Sequence, residues 1–487
     1  MRPVPGSMGT MAAIGMTRIG MIVGVAGAIA LVAAAPASAL PAAAAPAAAA
    51  YVHVGVAPGA VAYSPDSSTV YVANEEDGSV SVIDAATRTV SATVSVGKTP
   101  FALAISPDGA NVYVADYGSA AVSVIDAATD TVTQTIPVAT SPGGLALSPD
   151  GTTLYVSSFT ASNVTAYNAM TGATLSSAPV GNGPFPVAVA RDGTVMVTSA
   201  NAGNVTFLSA DLATNLGSVS VGGFPQGMAV SAGGTTLAVT SVATHRVTLI
   251  DVSSRTVEQT DTVGPSPIGV ALSADASRAF VANGTGPLSV IDIATGTITG
   301  PPADPGSGAL ALAPNGLGLA VTIQNDNSTG TNNTIALFDV PGVGSPANAS
   351  VSVGQAASFT VVASNDPDAI TWQRSTDGGA TWIDIAGASG VTYTFTAALA
   401  DSGDLFRAAA VSALFGDAPG GAATLTVTAP ATPSPTPTQP AASAGGGAML
   451  AESGSDLSWP ASFGFGVLGV GALVLVAASA LRRDATR

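Results

Sequence analysis

A unit of about 42 residues recurs seven times in this 487-residue chain, and this repeat constrains the fold more than any other feature. Ser-Pro-Asp, or a degenerate form of it, opens a turn in each unit, and consecutive turns lie 40 to 42 residues apart. The seven turns begin at Ser64, Ser106, Ser148, Ala190, Ser231, Ser273 and Ala313. A repeat of this length is typical of the four-stranded blades of a β-propeller.

Each unit has the pattern of four short strands separated by tight turns. In the second unit the expected strands span residues 101–106, 111–115, 121–126 and 131–138. They are near-continuous apolar runs and do not alternate strictly with polar residues. This indicates sheets that are covered on both faces by neighbouring blades.

An alanine stands two residues before every one of these turns. We expect the first strand of each blade to lie nearest the propeller axis, where converging blades leave room only for small side chains. This favours a closed ring over an open solenoid. Residues 51–56 resemble a fourth strand and are expected to complete the last unit, which ends near residue 340 without one. The seven alanines are Ala62, Ala104, Ala146, Ala188, Ala229, Ala271 and Ala311.

The composition agrees with an all-β fold and excludes several classes of function. Only 9% of the residues are charged, and the formal net charge is −17. An acidic chain without a cluster of lysines and arginines is not expected to bind nucleic acid. The chain has no cysteine, which excludes disulfides, thiolate catalysis and cysteine-based metal sites.

The N-terminal 39 residues have the layout of a secretory signal peptide. Arg2 and Arg18 precede an apolar run over residues 19–32, and Ala37-Ser38-Ala39 follows as a small-x-small cleavage site. Signal cleavage is therefore expected after Ala39, with Ala37 as the other recognised small residue. A retained membrane anchor is the alternative, and the shortness of the apolar run argues against it.

The C-terminal part of the sequence predicts an anchored stalk. Residues 429–449 form a linker rich in proline, threonine and serine, which cannot build a core. Residues 462–481 contain no charge and are long enough for a transmembrane helix. Arg482 and Arg483 follow this segment and are expected to keep the tail inside the cell.

A pentapeptide between the linker and the apolar segment resembles a sortase sorting signal of the LAxTG kind found in Gram-positive bacteria. The resemblance implies that sortase is a partner, that residues 450–487 form the sorting signal, and that the bond after Ser453 is cleaved. A plain membrane-anchored stalk is the alternative. Either way the protein is expected to be exported and held at the cell surface, in the wall or in the membrane. The five residues are Leu450, Ala451, Glu452, Ser453 and Gly454.

Two further resemblances concern the folded part. The strings at residues 70–74, 78–84 and 112–116 resemble the YVTN-family propeller repeat over residues 51–341, which implies a seven-bladed β-propeller common in surface proteins. Residues 345–428, with Trp372 as the core tryptophan, resemble bacterial immunoglobulin-like domains. The expected fold class is all-β: a seven-bladed β-propeller followed by an Ig-like β-sandwich, with a C-terminal transmembrane helix.

The loops on one face of the propeller vary between units, and we predict that this candidate face is a binding site. It comprises the loops between the second and third strands and those that connect consecutive blades. Such loops on a rigid frame are the usual place for recognition, and the expected partner is an extracellular protein or a glycan. Alternatively, the phenylalanines only wedge between blades. The candidate residues are Glu75, Glu76, Lys98, Phe101, Asp116, Tyr117, Phe159, Phe185, Phe224, His245 and Arg246.

The sequence favours a binding or display protein over an enzyme. Similar propellers include lactonase-like and quinoprotein-like enzymes, but this chain has only two histidines. His53 is expected to be a structural residue of the closing strand, and His245 has no evident carboxylate partner. We therefore predict no catalytic residues, no cofactor and no metal. A purely structural role in a surface layer or cell envelope is a second alternative. The Asp/Asn-rich stretch 324–333 is predicted to be a polar loop, with calcium binding as the alternative.

Overall fold

The computed structural model of the protein describes residues 50–300, 307–323 and 333–429. Within these ranges the regular structure is β-strand, apart from one short 3-10 helix, so the all-β prediction is confirmed. No helix in these ranges is long and apolar enough to span a membrane. The predicted signal peptide, the linker beyond residue 429, the sorting signal with its transmembrane helix, and residues 324–332 of the polar loop lie outside the described residues.

The first strand, β1 (Ala50–His53), is followed by sheets of four consecutive antiparallel strands, which we call blades 1 to 6. Blade 1 contains β2 (Pro58–Tyr63), β3 (Thr69–Asn74), β4 (Ser79–Asp84) and β5 (Thr89–Ser95). Blade 2 contains β6 (Pro100–Ile105), β7 (Asn111–Asp116), β8 (Ala121–Asp126) and β9 (Thr131–Pro137). Blade 3 contains β10 (Pro142–Leu147), β11 (Thr153–Ser158), β12 (Asn163–Asn168) and β13 (Thr174–Pro179).

The remaining blades repeat this order. Blade 4 contains β14 (Pro184–Val189), β15 (Val195–Ser199), β16 (Asn204–Leu208) and β17 (Asn215–Ser220). Blade 5 contains β18 (Pro225–Val230), β19 (Thr236–Ser241), β20 (Arg246–Asp251) and β21 (Thr256–Thr262). Blade 6 contains β22 (Pro267–Leu272), β23 (Arg278–Asn283), β24 (Ser289–Asp292) and β25 (Ile298–Thr299). Blade 7 contains β26 (Ser307–Leu312), β27 (Gly318–Ile323) and β28 (Thr334–Asp339).

The seven sheets close into a ring. The first strand of every blade lies beside the first strand of the next, and β26 of blade 7 lies beside β2 of blade 1. The fourth strand of blade 7 is β1, which pairs antiparallel with β28 so that His53 is opposite Thr334 and Ala50 opposite Leu337. The predicted closure is therefore present, and the closing strand ends at His53 instead of residue 56.

The repeated alanines lie on the innermost strands, as expected, and each is half-buried. Their side chains face a neighbouring blade and not the axis. On β6, Ala104 packs against the core between blades 2 and 3, while Leu103 and Ile105 pack against the core between blades 1 and 2. The small side chain is therefore required by the close approach of two neighbouring sheets. The sequence-based explanation, in which crowding at the axis requires alanine, is corrected in this respect.

Glycine 144 on β10 shows how closely the inner strands approach. A Cβ atom added at this position would overlap the carbonyl oxygen of Phe185 and lie 2.9 Å from Cα of Pro186, both on the next blade. In a closed ring the two backbones cannot move apart, so we expect Gly144→Ala to lower the free energy of unfolding by about 1–3 kcal/mol, as overpacked cores do. Urea denaturation measures this change.

The matched control for this prediction is Gly233→Ala in an open turn. There the nearest atom to an added Cβ is Thr235 Oγ1 at 3.8 Å, so the free energy of unfolding should change by no more than about 0.5 kcal/mol. If both alanine variants unfold at the same urea concentration as the unchanged protein, the inner strands are not as tightly packed as described.

Residues 342–429 form a second β domain of three sheets, in which a six-stranded sheet packs against one of two two-stranded sheets. The larger sheet has the strand order β30-β38-β36-β33-β34, with β37 beside β36; β31 pairs with β35, and β29 with β32. β30 runs parallel to β38. The elements are β29 (Gly342–Val343), β30 (Ala349–Ser352), β31 (Ala356–Thr360), β32 (Ala363–Ser364), β33 (Ala369–Ser375), β34 (Ile383–Ser389), β35 (Thr392–Thr396), a 3-10 helix (Leu399–Asp401), β36 (Leu405–Val411), β37 (Ala418–Pro419) and β38 (Ala423–Thr428).

Trp372 occupies the centre of the second domain. It is fully buried, and its indole N–H donates to the carbonyl oxygen of Gly390 at 2.9 Å. Phe359 lies between Trp372 and Phe406, with ring centroids 6.4 Å and 4.7 Å away respectively. The two sheets are therefore held together by a packed aromatic core without a disulfide.

The two domains share a hydrophobic core at the side of blades 6 and 7. Phe415, in the loop after β36, is buried beside Phe338, with ring centroids 6.2 Å apart. Arg278 Nη1 donates to the carbonyl oxygen of Phe415 at 3.0 Å, and its guanidinium lies 5.3 Å from the ring centroid of Phe280. Arg278 begins β23 and Phe338 lies near the end of β28, and both strand ends are on the side of the turns between first and second strands. The second domain therefore lies on the propeller face opposite the candidate face.

Candidate functional site

A central cavity of about 480 Å³ opens among the innermost strands of all seven blades. It is lined by the first halves of these strands, where most residues are glycine, alanine or aliphatic. Each inner strand begins with a proline or serine, and in most blades it pairs irregularly with the second strand over the next residues, as between Pro58 and Val61. The side chains that line the cavity are therefore mostly small or aliphatic, while exposed backbone groups, Glu75 and Gln226 contribute polar surface.

Four aromatic side chains of the candidate face pack together beside this cavity, and we call them the aromatic cluster: Phe101, Tyr117, Phe159 and Phe185. Phe101 and Phe185 line the cavity, and Tyr117 and Phe159 do not. The rings of Phe101 and Phe185 are 5.1 Å apart and nearly perpendicular. Tyr117 lies 5.9 Å from Phe101, and Phe159 lies 5.6 Å from Phe185. The rings come from blades 2, 3 and 4 and are all half-buried. They lie between blades and are partly exposed, an arrangement compatible with either interpretation of these phenylalanines.

Glu75 brings a negative charge to the same cavity. Its half-buried side chain crosses Gly59, since a Cβ at that glycine would overlap the Glu75 carboxylate. Burial, with a smaller contribution from Glu76, raises the pKa of Glu75. Within the described residues the Glu75 carboxylate has no hydrogen bond or ion pair.

An open, shallow pocket adjoins the cavity at blades 1 and 2 and contains further predicted residues. Glu75, Glu76 and Lys98 line it. Glu76 and Lys98 are exposed, and among the described residues Lys98 forms no ion pair. Asp77 Oδ2, by contrast, accepts a hydrogen bond from the backbone N–H of Val56 at 2.6 Å and stabilises the loop.

Asp116 is a correction to the predicted face. Its side chain is fully buried, so it cannot contact a partner directly. Ser123 Oγ donates to Asp116 Oδ2 at 2.6 Å, and Oδ1 has no partner in the described part of the chain. Burial raises the pKa of Asp116 to about 6, against the opposing effect of hydrogen bonds from Ser123 and the Gly97 backbone. Asn74 and Asn283 end the equivalent strands of blades 1 and 6, which marks this as a structural position.

The predicted residues of blade 5 lie on the candidate face but apart from the aromatic cluster. Phe224 is 40% exposed and lines neither pocket. His245 and Arg246 are also exposed. His245 Nδ1 accepts a hydrogen bond from the backbone N–H of Ser266 at 3.1 Å. The structure therefore brings together four aromatic residues and Glu75, and leaves these three residues separate.

The described residues contain no group of three or more histidine, cysteine, aspartate or glutamate side chains that would hold a metal ion. His53 lies on the closing strand β1 and is exposed. The other histidine, His245, is outside the cavity lining. Glu75 is thus the one titratable side chain among the described residues that line the cavity.

The cavity lining itself, including Gly59, Gly143 and Gln226, was not predicted from the sequence. A signal for it was present, because a proline begins the inner strand in six blades. The residue before each of these prolines has a positive φ, between 52° at Thr99 and 68° at Gly183. A residue with a left-handed backbone conformation, followed by proline, therefore marks the point where the chain enters each of these inner strands.

Comparison with known proteins supports the propeller. Residues 21–169 match a family described as YNCE-like beta-propeller. This chain contains a β-propeller. Residues 341–429 match a second family, which is described only as a domain of unknown function, DUF8696. No curated protein matches the chain.

Solved structures resemble the propeller in fold. One is described as Kuenenia stuttgartiensis hydrazine synthase: it is 20% identical, with a TM-score of 0.52, and the match covers 59% of this chain and 97% of that one. Another, described as the structure of U3-55K, is 11% identical, with a TM-score of 0.55, and the match covers 60% of this chain and 99% of that one. At these identities the likeness concerns the β-propeller fold alone.

Proposed function

We propose that the protein is a binding module that uses the candidate face of its propeller to recognise an extracellular protein or a glycan. The observation that carries this proposal is the aromatic cluster, where four half-buried rings from three blades pack against one another and two of them line the central cavity. Aromatic side chains are enriched at the energetic centres of interfaces because they bury a large area and lose few rotamers. Held by neighbouring blades, these rings need little ordering when a partner binds.

The position of the second domain supports display of this face. Its described contacts with the propeller, including those from Asn365 to the carbonyl oxygens of Leu317 and Val340, lie on the opposite side. We propose that this domain is an Ig-like spacer, since its buried tryptophan and its parallel β30–β38 pair suit that fold. The signal peptide and the LAxTG-like segment would then place the protein at the surface of a Gram-positive cell.

The test removes two members of the aromatic cluster. Glycan and extracellular-protein arrays first identify molecules that bind the unchanged protein. We expect the double substitution Tyr117→Ala with Phe159→Ala to weaken binding to these molecules by about 30-fold or more. This is the effect of interface residues that contribute about 2 kcal/mol to the free energy of binding. The measurement is binding of the full-length chain by surface plasmon resonance.

The matched control is Phe224→Ala with His245→Ala, two exposed residues of the same face outside the cluster. This variant should bind within a few-fold of the unchanged protein. If the cluster variant binds as well as the control, the aromatic cluster is not the recognition site. If no array component binds the unchanged protein, a structural role in the envelope replaces the proposal.

A lactonase-like or quinoprotein-like enzyme is the second candidate function. The raised pKa of Glu75 in a cavity is an arrangement also found at catalytic sites. Against it, the described lining has no histidine to act with Glu75 as acid or base. Hydrolysis of a lactone panel by the full-length chain, lost on Glu75→Gln, would favour the enzyme over the binding module.

A further inference from the structure

We propose that the central cavity binds an alkylammonium group, with the Glu75 carboxylate contacting the charge and the rings of Phe101 and Phe185 contacting the alkyl chain and the cation. This inference rests on the proposed function in taking the candidate face to be the binding side, and it adds the chemical class of the ligand. A free alkylamine and the lysine side chain of a partner protein share this chemistry.

The first argument is the unmatched charge of the cavity. Glu75 is the one charged side chain among the described lining residues, and no cation lies within ion-pair distance of its carboxylate. Burial of a carboxylate without a partner is unfavourable, because the protein replaces water without offering a counter-charge. A cation in the cavity would remove this cost, whereas an anion would add to it.

The second argument concerns the aromatic rings beside Glu75. Phe101 and Phe185 both line the cavity, and their centroids are 5.1 Å apart. The face of an aromatic ring is negative and attracts a cation within about 6 Å of its centroid. A ligand in contact with both the carboxylate and the rings therefore gains from two groups that favour positive charge.

The third argument is the shape and chemistry of the wall. Gly59 and Gly143 border this part of the cavity without side chains that would fill it. The volume of about 480 Å³ lies in the range of small-molecule sites. The aliphatic lining suits an alkyl chain, while a divalent metal ion needs several oxygen ligands, and the described residues hold no such group.

The test compares n-butylammonium with n-butanol, which keeps the alkyl chain and removes the charge. Calorimetric titration of the full-length chain should detect n-butylammonium binding at least about tenfold tighter than n-butanol, as expected for one charge-assisted contact. Equal binding of the two probes would overturn the proposal, because it would show an apolar site without preference for a cation.

Variants assign the contact to Glu75. We expect Glu75→Gln to weaken n-butylammonium binding about tenfold, and Glu258→Gln to have little effect. Glu258 is exposed on β21, the outermost strand of blade 5, so the second variant makes the same change in net charge without touching the cavity. Phe185→Leu should also weaken binding, and Phe224→Leu should not. Equal effects of the two glutamine variants would overturn the assignment.

The two sources of the ligand give different results. If free amines are the ligand, n-butylammonium should bind as tightly as a peptide with one accessible lysine; if a partner's lysine is the ligand, the peptide should bind more tightly, and acetylation of that lysine should abolish its binding. Failure of all these probes overturns the ligand class only. The array test with the Tyr117/Phe159 variant decides the proposed function separately, since neither residue is among the lining residues of the cavity.

Discussion

Replacing Phe415 with alanine should release the second domain from the propeller while both domains remain folded. The side chain is 5% exposed and lies in the core between blades 6 and 7, far from the Trp372 core of its own domain. Truncating a buried phenylalanine costs about 3–5 kcal/mol. Because this cost falls on the contact between the domains, we expect the loss to appear in docking and not in the fold of either domain.

Limited proteolysis with a broad-specificity protease measures the release. In the Phe415→Ala variant, cleavage in the connection between Asp339 and Gly342, where the propeller passes into the second domain, should become faster by two orders of magnitude or more, in line with that energy. Asn365→Ala, which removes two hydrogen bonds to the propeller, should accelerate cleavage in the same direction but less. Leu399→Ala, at a residue 53% exposed in the second domain, is the control and should cleave at the original rate.

Unchanged cleavage of the Phe415→Ala variant would show that the domains are joined by the chain connection and not by their packing. Loss of the near-ultraviolet circular dichroism signal of Trp372, by contrast, would show that Phe415 supports the second domain itself. The first result would show that packing does not hold the interface together, and the second would show that the two cores are not independent.

Substitution of Asp116 by asparagine should stabilise the protein at neutral pH. The carboxyl group has a pKa of about 6 in the folded protein, against 3.8 for an unperturbed aspartate. Because the folded state holds the proton more tightly than the unfolded chain, the buried charge destabilises the fold as the pH rises from about 4 to about 6. Above pH 6 this cost is constant and on the order of 3 kcal/mol, and asparagine avoids it.

Thermal or urea unfolding at a series of pH values tests this prediction. The gain from Asp116→Asn should be small below pH 4, grow between pH 4 and 6, and stay constant at higher pH. Asn74→Asp is the reciprocal control in blade 1, where Asn74 Nδ2 donates to Ser79 Oγ and Ser81 Oγ at 3.0 Å. It should introduce a destabilisation over the same pH range. A gain from Asp116→Asn that does not vary with pH would show that packing and not charge is responsible.

The fold was largely predictable because every blade repeats the same sequence pattern, in which a small residue precedes the turn after the first strand. One alanine in one strand carries little information, but seven at the same position before a turn indicate a common geometry. The closing strand was predicted for the same reason, since a unit without its fourth strand leaves an open edge. Its end at His53 was not predicted, because the loop from Val54 to Ala57 is fixed by Asn333 of the last blade, which is distant in sequence.

The candidate site was predictable as a face but not as a set of contacts. The period of the repeat assigns Phe101 and Phe185 to the same side of the ring, whereas their approach to 5.1 Å depends on how far the two inner strands tilt. Asp116 was misplaced because a charged residue at the end of a strand is usually exposed. Its equivalents Asn74 and Asn283 are also fully buried, and comparison of the units would have identified the position as structural.

The docking of Phe415 was not predictable at all. It is one phenylalanine in a loop of a domain without repeats, and its partner Phe338 belongs to a different domain. No periodicity relates the two residues. Contacts of this kind depend on the complementarity of two finished surfaces, which a single sequence does not reveal.

The pairing of β1 with β28 also sets an order of events during biosynthesis. The two strands are separated by about 280 residues, so β1 must wait until the last strand of the propeller has been synthesised before it gains its hydrogen bonds. A chain that is made or exported from its N-terminus carries an unpaired strand edge during that whole interval, and such edges promote aggregation. The closed ring leaves no such edge on β1, but we expect ring closure to be slow, and the partly made propeller to be prone to aggregation, until the strand that ends at Asp339 has been added.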